Sequence, residues 1–183
     1  MRITETHLPG VLCLEPRVFG DERGFFLETF RADQWPDAAP PAFVQDNQSR
    51  SRHGVLRGLH YQWQRPQGKL VRVARGRVFD VAVDVRRDSA RFGHWFGCVL
   101  DDVDHRQLYI PPGFAHGFLV LSEVADFVYR CTDTYHPESE TGLRYDDPAI
   151  GIEWPDIDGP VQVSDKDAAL PGLASQTDWP VSP

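Results

Sequence analysis

The stretch from Val78 to Val85, VFDVAVDV, most constrains what this chain can fold into, because its apolar residues recur at every second position. In an extended backbone Phe79, Val81, Val83 and Val85 share one face, while Asp80, Ala82 and Asp84 take the other, the pattern of a half-buried strand. Shorter strand-like runs occupy Val11–Leu14, Phe25–Phe30, Val55–Tyr61, Lys69–Arg75, Trp95–Leu100, Gln107–Ile110, Gly117–Leu121 and Phe127–Thr132. Gly, Pro, Asp and Asn clusters separate them at short intervals. The 15 Gly and 15 Pro supply turn punctuation, and 11 Phe, 5 Trp and 5 Tyr against one Met supply rings that favour strands. Helical signals are confined to one turn at Ala32–Trp35 and one at Lys166–Leu170, with Ser164 as N-cap. The expected class is all-β, a sandwich or barrel with a few short helical turns.

A length of 183 residues suits one domain over residues 1–183, and no repeat or linker divides it. The Pro-rich stretch Trp35–Pro41 is too short to separate domains, and residues 171–183 read as a C-terminal tail that lies on the surface or frays. The net charge of −8 argues against bulk attraction to nucleic acid or an anionic membrane, so an anionic ligand would need a local cationic cluster. Cys13, Cys98 and Cys131 are scattered, with no CxxC pair, and are expected to be reduced. No segment approaches the roughly 18 uninterrupted apolar residues of a membrane span, and MRITETHLPG lacks the apolar stretch of a signal peptide. A cytoplasmic protein is expected.

Four stretches carry more polar and aromatic detail than turns require: GDERGFFLE (Gly20–Glu28), FVQDN (Phe43–Asn47), LRGLHY (Leu56–Tyr61) and IPPGFAHGF (Ile110–Phe118). A histidine inside an apolar run, as at His60, costs stability unless its nitrogens find partners. A regular strand would put Arg57 and His60 on opposite faces, whereas a bulge at Gly58 would turn both into one cavity. Lys69, Arg72 and Arg75 fit a solvated face. Yet Arg23, Arg57 and Lys69 each stand beside a glycine, where backbone approaches a ligand closely, and together they form a candidate anion clamp. Tyr129 alternates with Phe127 and Cys131, so its hydroxyl can project into the interior.

Pro111-Pro112-Gly113 followed by His116 is similar to the second motif of the cupin β-barrels. Metal-binding cupins supply two histidines one residue apart in their first motif, because three or four ligands must converge on one ion. Here that place holds Gly58-Leu59-His60-Tyr61-Gln62, with one histidine, so no metal is expected.

Taken together, GDERGFFLE, FVQDN, VLRGLHYQ, QGKLVR, VFDVAVDVR, YIPPGFAHGF and DKDAALPGL run collinearly from about Leu8 to Leu173 and resemble the dTDP-4-dehydrorhamnose 3,5-epimerase family. The resemblance implies a metal-free, cofactor-free cupin-type jelly roll acting as a homodimer on dTDP-4-dehydro-6-deoxyglucose. It casts His60 as general base, Asp167 as its supporting carboxylate, Lys69 as the cation for the developing 4-oxyanion and Tyr129 as the acid on the opposite face. It assigns substrate contacts to Arg23, Phe26, Glu28, Gln45, Asp46, Asn47, Arg57, His116, Glu140 and Lys166, and stacking on thymine to Tyr135. The GDERGFFLE segment, with Phe25 and Phe26, would reach the site across the dimer. Both carbons to be inverted flank one ketone, so one cation serves both enolates, and no GxGxxG fingerprint of a redox cofactor is needed or present. Three other readings remain: an epimerase of C3 or C5 alone in a related deoxysugar pathway, a metal-dependent cupin enzyme, and a non-catalytic sugar-binding cupin.

Overall fold

The computed structural model describes residues 1–35 and 42–180. Its strands are β1 (Arg2–Glu5), β2 (Leu12–Glu15), β3 (Val18–Asp21), β4 (Gly24–Leu27), β5 (Gln45–Arg52), β6 (Leu56–Gln62), β7 (Lys69–Arg75), β8 (Arg77–Asp84), β9 (Trp95–Asp101), β10 (Gln107–Ile110), β11 (Phe114–Val120), β12 (Val124–Cys131) and β13 (Glu140–Gly142). The helical pieces among them are 3₁₀ turns at Ala32–Gln34 and Pro137–Ser139 and one short helix, α1 (Asp165–Ala168), capped by the Ser164 hydroxyl as expected. Beyond Trp35, the stretch to Pro41 lies outside the described residues, as do residues 181–183.

The strands form two facing antiparallel sheets, ordered β1-β2-β10-β7-β12-β5 and β13-β6-β11-β8-β9, with β3–β4 a separate hairpin. Period-2 alternation on β7, β8, β11 and β12 turns Val71, Val73, Val78, Ala82, Phe118 and Phe127 into the space between the sheets. Phe127 is 1% exposed and stacks on Phe118 with centroids 4.1 Å apart. Burying one such ring contributes about 2 kcal/mol.

The alternation on β8 sorts its residues as expected, but the strand is not half-buried. Val81, Val83 and Val85 pack on the far face of the five-stranded sheet beneath Ile150, Trp154, Leu173 and Trp179. The opposite face carries Asp80 and Asp84, both without solvent exposure. The chain after β13 therefore forms a third layer, and the expected tail from Pro171 is anchored rather than frayed. Trp179 meets Phe92 edge-on at 5.1 Å, and the Tyr61 hydroxyl donates to the Asp178 carbonyl at 2.8 Å. Leu14, Leu70 and Tyr109 make a further cluster on the outer face of the six-stranded sheet, under Phe30, Trp35 and Phe43.

Asp84 closes the turn after β8. It accepts hydrogen bonds from the Arg86 backbone N–H, the Arg86 guanidinium and the Ser89 hydroxyl, the last at 2.7 Å. Burial alone would raise its carboxyl, and these donors outweigh burial and hold it below the usual carboxylate range. Asp84→Ala strands a largely buried guanidinium and should cost about 3 kcal/mol in urea unfolding, with the position of the midpoint as the readout.

Candidate active site

The site begins with one extra residue in β6. His116 of β11 stands opposite His60, yet Phe118, two residues on, stands opposite Arg57, three residues back. This bulge reverses strand parity between Arg57 and His60 and turns both inward, into a cavity of about 300 Å³ between the sheets. Gly58 makes it sterically feasible: at φ 109, a Cβ there would lie 2.6 Å from both the Gly117 Cα and the His116 carbonyl oxygen.

The freed Gly58 N–H donates to Asp167 Oδ2 at 3.0 Å, and His60 Nε2 lies 2.7 Å from Asp167 Oδ1. Asp167 is 3% exposed, on α1, whose first turn is fixed by the Ser164 hydroxyl accepting from the Asp167 N–H at 3.1 Å. Burial alone would raise its carboxyl, but the His60 and Gly58 hydrogen bonds outweigh burial and hold it below the usual range. An ionised carboxylate only accepts, so Nε2 carries the hydrogen and the Nδ1 lone pair is left for chemistry.

The opposite wall comes from the six-stranded sheet. Lys69 of β7 and Tyr129 of β12 line the same cavity and, with His60, an adjoining lobe of about 300 Å³. Burial pushes the Lys69 ammonium below the usual lysine range, opposed by the nearby Cys131, Glu140 and Asp80. Burial raises the Tyr129 phenol, with Cys131 and Glu140 adding to the effect and Arg57 opposing it, so the hydroxyl keeps its proton at neutral pH. His60 and Tyr129 thus project from opposing sheets into one space, with the Lys69 ammonium beside them.

The adjoining lobe is a polar rim. Tyr135, 50% exposed, donates its hydroxyl to Glu140 at 3.0 Å, and Lys166 pairs with the same carboxylate. Gln45 accepts from the Tyr135 N–H at 2.8 Å and donates to Asn47 at 3.0 Å. Arg57 donates to the Ser51 hydroxyl at 3.0 Å, and His116 is held 2.9 Å from Asp80.

Not every expected residue joins them. Asp46 lies between Gln45 and Asn47 on β5, so parity sends it to the outer face, where it meets Arg130 at 3.2 Å. Arg23, Phe26 and Glu28 belong to the β3–β4 hairpin and its exit, outside this cavity. Arg23 pairs with Asp21 at the hairpin tip, Phe26 is 69% exposed, and Glu28 lies 3.8 Å from Arg31. Sequence reasoning missed Asp80 and Ser51. Asp80 left a signal, since an aspartate set among valines in a central strand must find an internal partner. Cys13, Cys98 and Cys131 are free thiols. Among the described residues, no three His, Cys, Asp or Glu side chains converge as metal ligands, and no helix is long and apolar enough to cross a membrane.

The family model for dTDP-4-dehydrorhamnose 3,5-epimerase matches residues 5–175. The chain belongs to that family. A dTDP-4-dehydrorhamnose 3,5-epimerase of Pseudomonas aeruginosa is 53% identical over 169 residues, covering 91% of this chain and 93% of its own length. A dTDP-6-deoxy-D-glucose-3,5-epimerase of Legionella pneumophila, solved with dTDP-4-keto-L-rhamnose, superposes with TM-score 0.95 at 50% identity, covering 100% of this chain and 98% of that one. A 3'-monoepimerase of Streptomyces bikiniensis in complex with dTDP-quinovose superposes with TM-score 0.86 at 35% identity, covering 93% of this chain and 87% of its own. The protein is therefore an isomerase with a cupin-like β fold.

Proposed function

We propose that this epimerase inverts C3 and C5 of dTDP-4-dehydro-6-deoxy-D-glucose, giving dTDP-4-dehydro-L-rhamnose in the cytoplasmic synthesis of dTDP-L-rhamnose. The observation that carries the reading is His60 on one sheet, paired with Asp167 of α1 and facing Tyr129 on the other sheet, with Lys69 lining the same cavity. His60 Nδ1 takes the proton from the carbon beside the ketone, the C–H electron pair moves into an enolate, and the 4-oxygen gains the negative charge. Lys69 stabilises that oxygen. Tyr129 then donates its proton to the opposite face of the carbon and the ketone re-forms; once solvent has taken the proton from His60 and returned one to Tyr129, repetition at the second carbon places the charge on the same 4-oxygen. The sequence of steps leaves the oxidation state unchanged and draws on no cofactor.

The diphosphate and thymidine are assigned to the rim, with Arg57 and Lys166 as cations and Tyr135 as the stacking ring. Arg23, Phe26 and Glu28 lie outside the protomer's own cavity, on a hairpin whose Phe25 and Phe26 rings are 60% and 69% exposed. This arrangement supports a homodimer in which the hairpin completes the partner's site. Light scattering should give twice the 20.8 kDa of one chain.

The reading is tested with a downstream 4-ketoreductase and NADPH: dTDP-4-dehydro-6-deoxyglucose plus this protein should drive NADPH consumption and yield dTDP-L-rhamnose. Formation of a sugar inverted at one carbon would favour the single-carbon reading, which the shared fold of the 3'-monoepimerase keeps open. Stoichiometric iron, zinc or manganese in the active protein, with activity lost to a chelator, would contradict the metal-free mechanism. Tyr129→Phe should lower net inversion by about 10²-fold while leaving initial proton removal far less affected. Comparison of C–H exchange with product formation checks this, and equal loss of both would contradict the acid role.

A further inference from the structure

Asp80 lies on the inner face of β8 with no solvent exposure. Its Oδ2 stands 2.9 Å from His116 Nε2, while Oδ1 is buried and has no hydrogen-bond partner among the described residues. A buried carboxylate with one bare oxygen disfavours folding, and a packed apolar residue would avoid the penalty. The interior contains a group that benefits. Lys69, on the facing sheet, shares its cavity and the adjoining lobe with Cys131 and Tyr129 of β12, Glu140 of β13, Arg57 and His60 of β6, His116 of β11 and Lys166 and Asp167 of α1, and the Asp80 charge behind His116 also acts on its ammonium.

Cys131, Glu140 and Asp80 are the groups that oppose the loss of its proton on burial. Glu140 is already engaged by Lys166 and Tyr135. Burial raises the Cys131 thiol, against the opposing Lys69, which keeps it neutral near pH 7. Asp80 is the acidic group of the three that combines complete burial with an oxygen lacking a hydrogen-bond partner among the described residues.

We propose that Asp80 is a positioning residue for the reaction, its buried carboxylate keeping Lys69 cationic and holding His116 by Nε2 so that Nδ1 of His116 faces the ligand. The inference rests on the proposed role of Lys69 as the enolate's cation. Loss of the Asp80 charge makes the Lys69 ammonium easier to deprotonate. Its titration then moves to lower pH, and so does the alkaline limb of activity, because catalysis requires the protonated form.

The test reads the lysine directly. Ligand-free protein is briefly acetylated with acetic anhydride across a pH series, and modification at Lys69 is quantified by peptide mass spectrometry. Asp80→Asn and Asp80→Ser should lower the Lys69 titration midpoint by about one pH unit, a tenfold rise in free amine at fixed pH. Asp80→Glu, which restores the charge, should bring the midpoint back. The alkaline limb of C–H exchange should move with the midpoint, and kcat should fall more than KM rises. An unmoved midpoint in the neutral variant that folds, as judged by circular dichroism, would overturn the proposal. A shifted midpoint with Lys69→Met still fully active would instead overturn the role of Lys69 and leave the Asp80–Lys69 coupling standing.

Discussion

His60→Ala should reduce exchange of the C3 and C5 protons of dTDP-4-dehydro-6-deoxyglucose by about 10²- to 10⁴-fold, the span that a positioned general base contributes. The fold should survive, because the side chain is partly exposed at the cavity wall and the bulge that presents it is maintained by Gly58 and the β6–β11 pairing. Removing the ring leaves Asp167 Oδ1 without its 2.7 Å partner, although Oδ2 keeps the Gly58 N–H. Asp167→Asn separates the two contributions. An asparagine presents either an amide N–H or an oxygen to Nε2, so it can favour the tautomer with the proton on Nδ1, which is useless for abstraction. Its exchange rate should fall toward that of His60→Ala although the imidazole remains. Isotope exchange followed by NMR, alongside circular dichroism, checks both variants.

Lys69→Met should be nearly as damaging. Methionine is similar in length and keeps the apolar stem packed, but brings no charge to the 4-oxygen, and loss of one preorganised oxyanion donor costs about 10²- to 10³-fold in kcat. Desolvation already opposes the buried ammonium, and relief of that cost offsets the loss of a cation near the buried Asp80, so the urea midpoint should stay close to that of the parent. The combination of lower kcat with undiminished stability is the signature of a charge held for chemistry. A lower midpoint with unchanged kcat would make Lys69 a structural residue.

The parts of this protein written in hydrophobic alternation were readable from sequence. Val78–Val85 announces β8, and β7 and β10 begin and end where the short strand-like runs do. β5 escaped notice because Gln45, Asn47, Ser49 and Ser51, the inward side chains of Gln45–Arg52, are polar. A strand whose inner face lines a polar cavity carries no apolar period, so the signal for the strand was lost to its use. The same parity separates Asp46 from Gln45 and Asn47, a distinction that motif matching alone overlooks. At Gly58 the sequence did carry the bulge, through a glycine between Arg57 and His60 whose side chains needed a common face. Asp80 was assigned to the correct face of β8, but the burial of that face depends on the opposing sheet, which no local pattern records. Of the β3–β4 hairpin, the run at Phe25–Phe30 overlapped β4, whereas β3 went unread because Val18–Asp21 are all exposed and carry no apolar period.

Isotope incorporation tests proton abstraction in this cavity most directly. Incubated in deuterium oxide with dTDP-4-dehydro-6-deoxyglucose, the protein should place solvent deuterium at both C3 and C5, by NMR and mass spectrometry, without added metal or redox cofactor. Label at C5 or C3 alone would make it a single-carbon epimerase. Absence of label at both carbons would contradict proton abstraction by His60, and with it the reading of the cavity as an epimerase site.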